Sequence, residues 1–240
     1  MRVTQRMLID NVLSNISARS EELGGLQEQL SSGKRIRKPS DDPQALGRAL
    51  TLRSTSDRNA QYLRNITSAR GWLEATDSSL AQLEGVMQRA RDAALRGVSD
   101  TFGEDGKRQL AEQVKGLLEE LLQGLNTTHE GKYLFSGRST STLPFQAVYS
   151  GGKITSVSYL GEPQGELTRE VGEGVDVVVN TAGDQFAGAD QPMISAVNDM
   201  IALRDWLDGS SAAPPDVAHL TASLDGITSV RATVGARVQR

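Results

Sequence analysis

The segment that decides the fold is QEQLSSGKRIRKPSDDP, which occupies residues 27–43. Gly33 is able to adopt the left-handed backbone conformation that commonly ends a helix. Pro39 and Pro43 exclude a helix through the residues between them, because proline lacks an amide hydrogen and restricts the residue before it. Asp42 followed by Pro43 is typical of a helix start, with an aspartate cap and a proline at the first helical position. The segment therefore predicts a connector between a helix that ends near Gly33 and a second helix that begins at Pro43.

Upstream of the connector, apolar residues recur with a seven-residue period and form one stripe along the first helix. The members of the stripe are Ile9, Val12, Ile16, Leu23, Leu26 and Leu30, and Arg19 interrupts it. Gly24 and Gly25 each weaken a helix by about 1 kcal/mol relative to alanine. A heptad stripe packs against another helix rather than into a globular core. We therefore expect a first helix that is poorly stable alone and requires a helical partner.

Downstream of the connector, residues 44–98 contain no proline, and a second heptad pattern runs along this segment. Its members are Ile66, Leu73, Leu80, Met87 and Ala94. One helix of about 56 residues would be ~84 Å long at 1.5 Å per residue, which favours a rod. Residues 110–125 carry another helical stripe after a turn that contains Gly103 and Gly106. The second and third helices are therefore predicted to pair as an antiparallel hairpin.

The pattern changes after Asn126. Short alternating apolar runs occur at residues 133–135, 145–149, 154–160 and 175–179, separated by glycine, and they predict small antiparallel strands. Helical periodicity returns at Pro192, and the stripe of the last helix continues to the final residues without a stop signal. We therefore expect the last helix to extend past Arg240 in the parent protein.

The predicted fold is mainly α with a small inserted β domain. It consists of a long antiparallel helical rod, resembling a coiled-coil bundle, and a small antiparallel β domain. The predicted segments are 1–42 (N-terminal helix and connector), 43–129 (long helical hairpin of the rod), 130–191 (small β-rich domain) and 192–240 (C-terminal rod helices).

The composition argues against an enzyme. The chain of 240 residues has no cysteine, two histidines, 4% aromatic residues and a net charge of −4. Thiolate metal sites and cysteine nucleophiles are therefore excluded, and aromatic-lined pockets are disfavoured. Gly33-Lys34 resembles part of a phosphate-binding loop, but Glu28 replaces its first glycine and Arg35 its hydroxyl residue. We predict no catalytic residues, no cofactor and no metal, and no membrane-spanning or secretory segment is evident.

The basic run from Lys34 to Lys38 has two interpretations. It could bind phosphates, which would make the chain a coiled-coil binder of anionic surfaces such as nucleic acid or membrane. No aromatic residues are interleaved with these basic side chains, so a solvated loop at a helix interface is the favoured interpretation. We accordingly expect neither nucleic acid nor membrane as a partner.

Several segments resemble the bacterial flagellin family, which includes the hook–filament junction proteins. Residues 27–36 and 38–43 resemble its N-terminal signature, and residues 131–137 resemble its passage from helices into the variable domain. Residues 175–180 with Gly183 and Phe186 resemble the end of that domain, and residues 229–237 resemble the start of the C-terminal helix. Within the family, residues 1–5 and the tyrosine-containing transition are more similar to the junction members than to the filament subunit.

The resemblance implies a structural, self-assembling and exported subunit of the extracellular flagellum. The implied role is to join hook to filament, and the alternative is flagellin itself. The implied partners are other copies of the chain, the adjacent hook-associated junction protein, flagellin and a flagellar export chaperone. The resemblance also implies that residues 1–42 are a polymerisation segment. It further implies that the sequence is truncated before the terminal polymerisation helix of the family. The candidate subunit-interface residues are Ile9, Val12, Ile16, Leu23, Leu26, Leu30, Lys34, Arg35, Ile36, Pro39, Ser40, Asp41, Asp42, Pro43, Ile227, Val230 and Val234.

Overall fold

The computed structural model describes residues 5–36, 42–99, 103–162, 165–181 and 192–239. The helices are α1 (Gln5–Ser32), α2 (Pro43–Val98), α3 (Glu104–Leu125), α4 (Pro192–Leu207) and α5 (Val217–Val238). The strands are β1 (Thr128–His129), β2 (Lys132–Tyr133), β3 (Phe145–Ser150), β4 (Lys153–Tyr159), β5 (Thr168–Gly172) and β6 (Val175–Val178). The prediction of a mainly helical fold with small antiparallel sheets is confirmed.

The helix ends around the connector follow from the residues that predicted them. Gly33 has φ of 64°, in the left-handed region, directly after the last residue of α1. The Asp42 carboxylate accepts a hydrogen bond of 2.9 Å from the backbone N–H of Ala45, so Asp42 caps α2. Because this cap satisfies an amide that has no partner within the helix, α2 begins at Pro43.

The chain divides into two compact units, Met1–Ala60 and Gln61–Arg240. This division differs from the four predicted segments, because it lies within α2 and groups all later helices and strands together. The physical reason is that the residues after Gln61 share one hydrophobic core. Heptad residues of α2, including Leu73, Leu80 and Met87, are buried there together with the predicted stripe of α3. Ile66 is the exception, with 42% of its surface exposed.

The described strands form three separate two-stranded antiparallel hairpins, β1–β2, β3–β4 and β5–β6. Their side chains do not form a core of their own: Phe145 of β3, Ile154 of β4 and Val179, the residue after β6, are buried in the same cluster as the helices. The expected β domain is therefore a set of hairpins attached to the helices. The sequence pattern missed β1 and β5, because β1 has only two residues and β5 has little buried surface.

Two polar side chains attach the β3–β4 hairpin to the helical core. Asn126, at the end of α3, donates to the carbonyl of Phe145 and accepts from its amide, at 2.9 and 3.0 Å. Arg204 on α4 is buried, and its Nη1 donates to the carbonyl of Ile154 at 2.6 Å. Since both residues bind strand backbone, the position of this hairpin depends on the helices.

Candidate subunit interface

The predicted apolar stripe of α1 is exposed along the helix. We call Ile9, Val12, Ile16, Leu23, Leu26 and Leu30 the α1 seam; each of the six has between 50% and 85% of its surface exposed. Scattered apolar residues are normal on protein surfaces, but a stripe of six along one helix face is typical of an interaction site. The α1 seam is therefore the strongest candidate for contact with another helix.

The structure shows that the apolar surface of α1 is wider near its start than the heptad pattern indicated. Met7, Leu8 and Leu13 are also exposed, each at 57% to 60%. Leu8 and Leu13 occupy the two positions that flank a heptad seam. A search for apolar residues at the 3.6-residue period of a helix would have included them in a broader apolar face. A heptad pattern does not include them, because it covers only two positions in seven.

The candidate residues of the connector fall into two groups. Lys34 and Arg35 are exposed, Ile36 is half-buried, and the Arg35 guanidinium lies 3.5 Å from the Asp42 carboxylate. Asp42 and Pro43 form the start of α2, as described above. Pro39, Ser40 and Asp41 lie outside the described residues, as do Gly183 and Phe186 of the family resemblance. The structure thus places part of the expected connector beside the helix cap.

The candidate residues of the last helix need correction. Ile227, Val230 and Val234 are buried in the core of the same chain, so in this conformation their side chains are not available to another subunit. Two arginines also hold α5 in place. Arg231 forms ion pairs with Asp77 and Glu84 of α2, and Arg237 donates a hydrogen bond to the carbonyl of Asn180. Hydrogen bonds to Glu84 and Asp77 raise the pKa of Arg231 above its ordinary value. We therefore restrict the candidate interface to α1 and the connector.

One cluster of serine, histidine and aspartate within the described residues resembles a catalytic trio. The Asp199 carboxylate on α4 accepts a hydrogen bond from the Ser223 hydroxyl at 2.7 Å and lies 2.6 Å from Nδ1 of His219. Since Ser223 and His219 are on α5, these contacts connect α5 to α4. The Ser223 hydroxyl donates to the Asp199 carboxylate and not to the His219 imidazole, so the trio does not have the order of a nucleophile, a histidine base and an orienting carboxylate, and it holds α5 against α4. No group of His, Asp and Glu side chains within the described ranges is arranged to hold a metal ion. Within the same ranges, no helix has the length and apolar content required to cross a membrane.

Comparisons with known proteins agree with the helical architecture. Residues 3–140 match the family model of the bacterial flagellin N-terminal helical region. Flagellar hook-associated protein 3 of Escherichia coli K12 is 27% identical over 99% of this chain and 80% of its own length. Flagellin B of Helicobacter pylori J99 is 29% identical, but the match covers 75% of this chain and 36% of that protein.

The fold is shared with solved junction proteins. The flagellar junction protein FlgL from Legionella pneumophila superposes with a TM-score of 0.60, over 82% of this chain and 94% of that chain, at 15% identity. The predicted resemblance to the flagellin family, and within it to the hook–filament junction members, is confirmed. Because the family model covers more than half of the sequence, the chain belongs to the bacterial flagellin family.

Proposed function

We propose that this chain is a structural junction subunit that joins hook to filament in the extracellular bacterial flagellum, and that the α1 seam packs against helices of neighbouring subunits. Its role is mechanical, with no catalytic residues and no cofactor. The match to a hook-associated protein covers 99% of this chain and 80% of that protein, whereas the flagellin match covers 75% and 36%; this difference supports the junction role over that of the filament subunit.

The exposed α1 seam is the observation that carries the assembly mechanism. The heptad residues Leu80 and Met87 of α2 are buried, whereas the equivalent apolar residues of α1 are exposed by half or more. Burial of apolar surface contributes about 25 cal/mol per Å², so a neighbouring helix that covered the seam would stabilise it considerably. Within this proposal, residues 1–42 are the polymerisation segment, and Lys34, Arg35, Ile36, Asp42 and Pro43 shape the connector beside it.

The proposed partners follow from the family resemblance and from the proposed place of the chain at the junction, and the exposed seam is the surface offered to them. Other copies of this chain, the adjacent hook-associated protein and flagellin are the proteins expected to meet it at the junction. Before assembly, an export chaperone would cover the same apolar residues. Contacts of this kind join unlike surfaces and propagate helically rather than closing.

The experiment replaces two seam residues by aspartate, in Ile16→Asp/Leu23→Asp. We expect the variant to be absent from isolated hook–filament structures and motility to be lost, because two carboxylates prevent burial of the seam. The thermal unfolding transition of the unit Gln61–Arg240 should be unchanged, since neither residue belongs to its core. Incorporation is measured by immunoblot of purified flagella from cells that lack their own copy.

The matched control is Ser14→Asp/Ala18→Asp, which adds the same charge to the opposite face of α1. Both control positions are exposed, so this variant should assemble normally. Normal motility of the seam variant would contradict the proposal, and equal loss in both variants would show that charge on α1, rather than the seam, is responsible.

A further inference from the structure

The helices α2 and α5 run antiparallel to each other. The Thr228 hydroxyl of α5 donates to the Glu84 carboxylate of α2 at 3.5 Å. Arg231, which comes one turn later on α5, donates to Asp77, which comes two turns earlier on α2. The last turn of α5 is therefore directed along α2 toward residues 61–68.

The apolar core ends before this pair of helix ends does. Ala69 is the first buried residue of α2, and Val234 is the last buried residue of α5. Within residues 61–68, all of which the structure describes, Tyr62 and Asn65 are half-buried and the other side chains are exposed. Burial of apolar surface therefore does not hold these helix ends, and their stability requires other contacts.

The two half-buried residues of this segment both bind the β5–β6 hairpin. The Asn65 amide donates to the carbonyl of Glu170 at 2.8 Å, and the Tyr62 hydroxyl donates to the Glu170 carboxylate at 3.3 Å. The Asn65 side chain is oriented by Gln61, which donates to its Oδ1 at 2.9 Å. Since neither β5 nor β6 contains a buried residue, polar contacts hold the hairpin on α2.

The base of the same hairpin binds α5. Arg237, in the last turn of α5, donates through Nη1 to the carbonyl of Asn180 at 2.9 Å. The side chain of Asn180, a buried residue, accepts from the amide of Leu167 at 2.8 Å and donates to the carbonyl of Gly165 at 3.0 Å. Residues 165–181 therefore form one hydrogen-bonded loop that contacts α2 through β5 and α5 through its base.

We propose that residues 165–181 are a strap that couples residues 61–68 of α2 to the last turn of α5. The strap takes the place of the apolar core where that core has ended, and its hydrogen bonds fix direction as well as distance. Release of either anchor should loosen the other helix end, although Asn65 and Arg237 bind different residues of the strap. The coupling belongs to the fold of this chain and does not depend on the proposed junction role.

Hydrogen exchange of the purified full chain, followed by mass spectrometry, tests the coupling. Asn65→Ala removes the anchor on α2. We expect amide exchange to become roughly two- to ten-fold faster in β5, in β6 and in residues 235–238 of α5, as expected for the loss of one hydrogen bond. Unchanged exchange in residues 235–238 would overturn the proposal, because the effect would then be confined to the hairpin. Equal acceleration around Leu83 and Met87 in the core would also overturn it, since the loosening would then be global.

The reciprocal variant is Arg237→Gln, which removes the anchor on α5. It should accelerate exchange in β5 and in residues 61–65 of α2 by a similar factor. The double variant Asn65→Ala/Arg237→Gln should exchange more slowly than the product of the two single effects predicts, because a strap released at one end no longer couples the helices. Single effects that multiply in full would show two independent contacts and contradict the coupling.

The matched control is Asn59→Ala, which makes the same replacement on α2 six positions before Asn65. Asn59 is exposed, and both replacements raise helix propensity equally. Exchange in the hairpin and in α5 should remain at the wild-type rate in this variant. If Asn59→Ala accelerates that exchange as much as Asn65→Ala does, the strap is not responsible and the proposal fails.

Discussion

Arg231 on α5 donates through Nη1 to Oε2 of Glu84 on α2 at 2.9 Å, across 147 positions of sequence. Its Nε donates to Asp77 on the same helix at 3.1 Å. One guanidinium therefore bonds two carboxylates spaced seven residues apart, which places Arg231 over one face of α2. These bonds hold the last helix against α2, whereas the apolar stripe of α1 is exposed.

Replacement of Arg231 by glutamine should lower the free energy of unfolding by about 1 kcal/mol, since it removes two cross-helix ion pairs that solvent screens in part. Urea denaturation followed by circular dichroism measures the change. Arg70→Gln is the control, because within the described part of the chain Arg70 pairs with Glu74 of its own helix, on the surface. We expect no measurable change there, and a loss as large as that of Arg231→Gln would contradict the role given to the cross-helix pairs.

Two glycines of α5 predict opposite responses to alanine. A Cβ at Gly226 would lie 2.6 Å from Cβ of Pro192, whose ring cannot rotate away, whereas a Cβ at Gly235 would meet nothing within 4 Å. Gly235→Ala should therefore stabilise the chain by up to about 1 kcal/mol through helix propensity. Gly226→Ala should destabilise it despite the same gain in propensity. Thermal denaturation of the two variants measures both, and stabilisation by Gly226→Ala would show that α4 and α5 are not this closely packed.

Arg204→Leu should be among the more destabilising substitutions in this chain. The side chain is 3% exposed, and its loss leaves the carbonyl of Ile154 and the carboxylate of Asp205 without their donor. A cost of about 3 kcal/mol is expected from an unsatisfied buried carbonyl and an unpaired charge. Lysine at this position should recover part of the loss. The midpoint of urea unfolding gives the comparison, and a change of a few tenths of a kcal/mol for Arg204→Leu would disprove the attachment of the β3–β4 hairpin through this residue.

The Tyr159 hydroxyl should titrate later than an ordinary tyrosine. Burial, together with the charge of Glu162, raises its pKa from 10.0 to about 12, and its hydroxyl donates to the carbonyl of Phe135. The pKa of this hydroxyl is higher in the folded protein than in the unfolded chain. The hydroxyl therefore contributes fully to the stability of the fold below pH 10, and this contribution is lost as the pH rises through about 12. Ultraviolet titration of tyrosinate should show a late step that is missing in Tyr159→Phe. A wild-type titration that completes near the ordinary pKa of tyrosine would contradict this environment for the hydroxyl.

Local chemistry was sufficient to predict the helices. Gly33 ends α1 and Asp42-Pro43 starts α2, because capping and backbone restriction depend on residues within one or two turns. The stripe of α3 likewise predicted its buried face. The hairpins were harder, because β1 has two residues and most side chains of β5 are exposed, so neither carries a clear alternating pattern.

The candidate interface shows the division between sequence and tertiary structure most clearly. The sequence by itself determined the family, the helical segments and the apolar stripes on α1 and α5, since periodicity depends only on the order of residues. It did not determine which stripe has a partner in the same chain. The tertiary structure buries Ile227 and Val234 while Ile16 and Leu23 remain exposed. A heptad pattern specifies that a helix needs a partner, and only the three-dimensional packing of the other helices decides whether the partner belongs to the same chain.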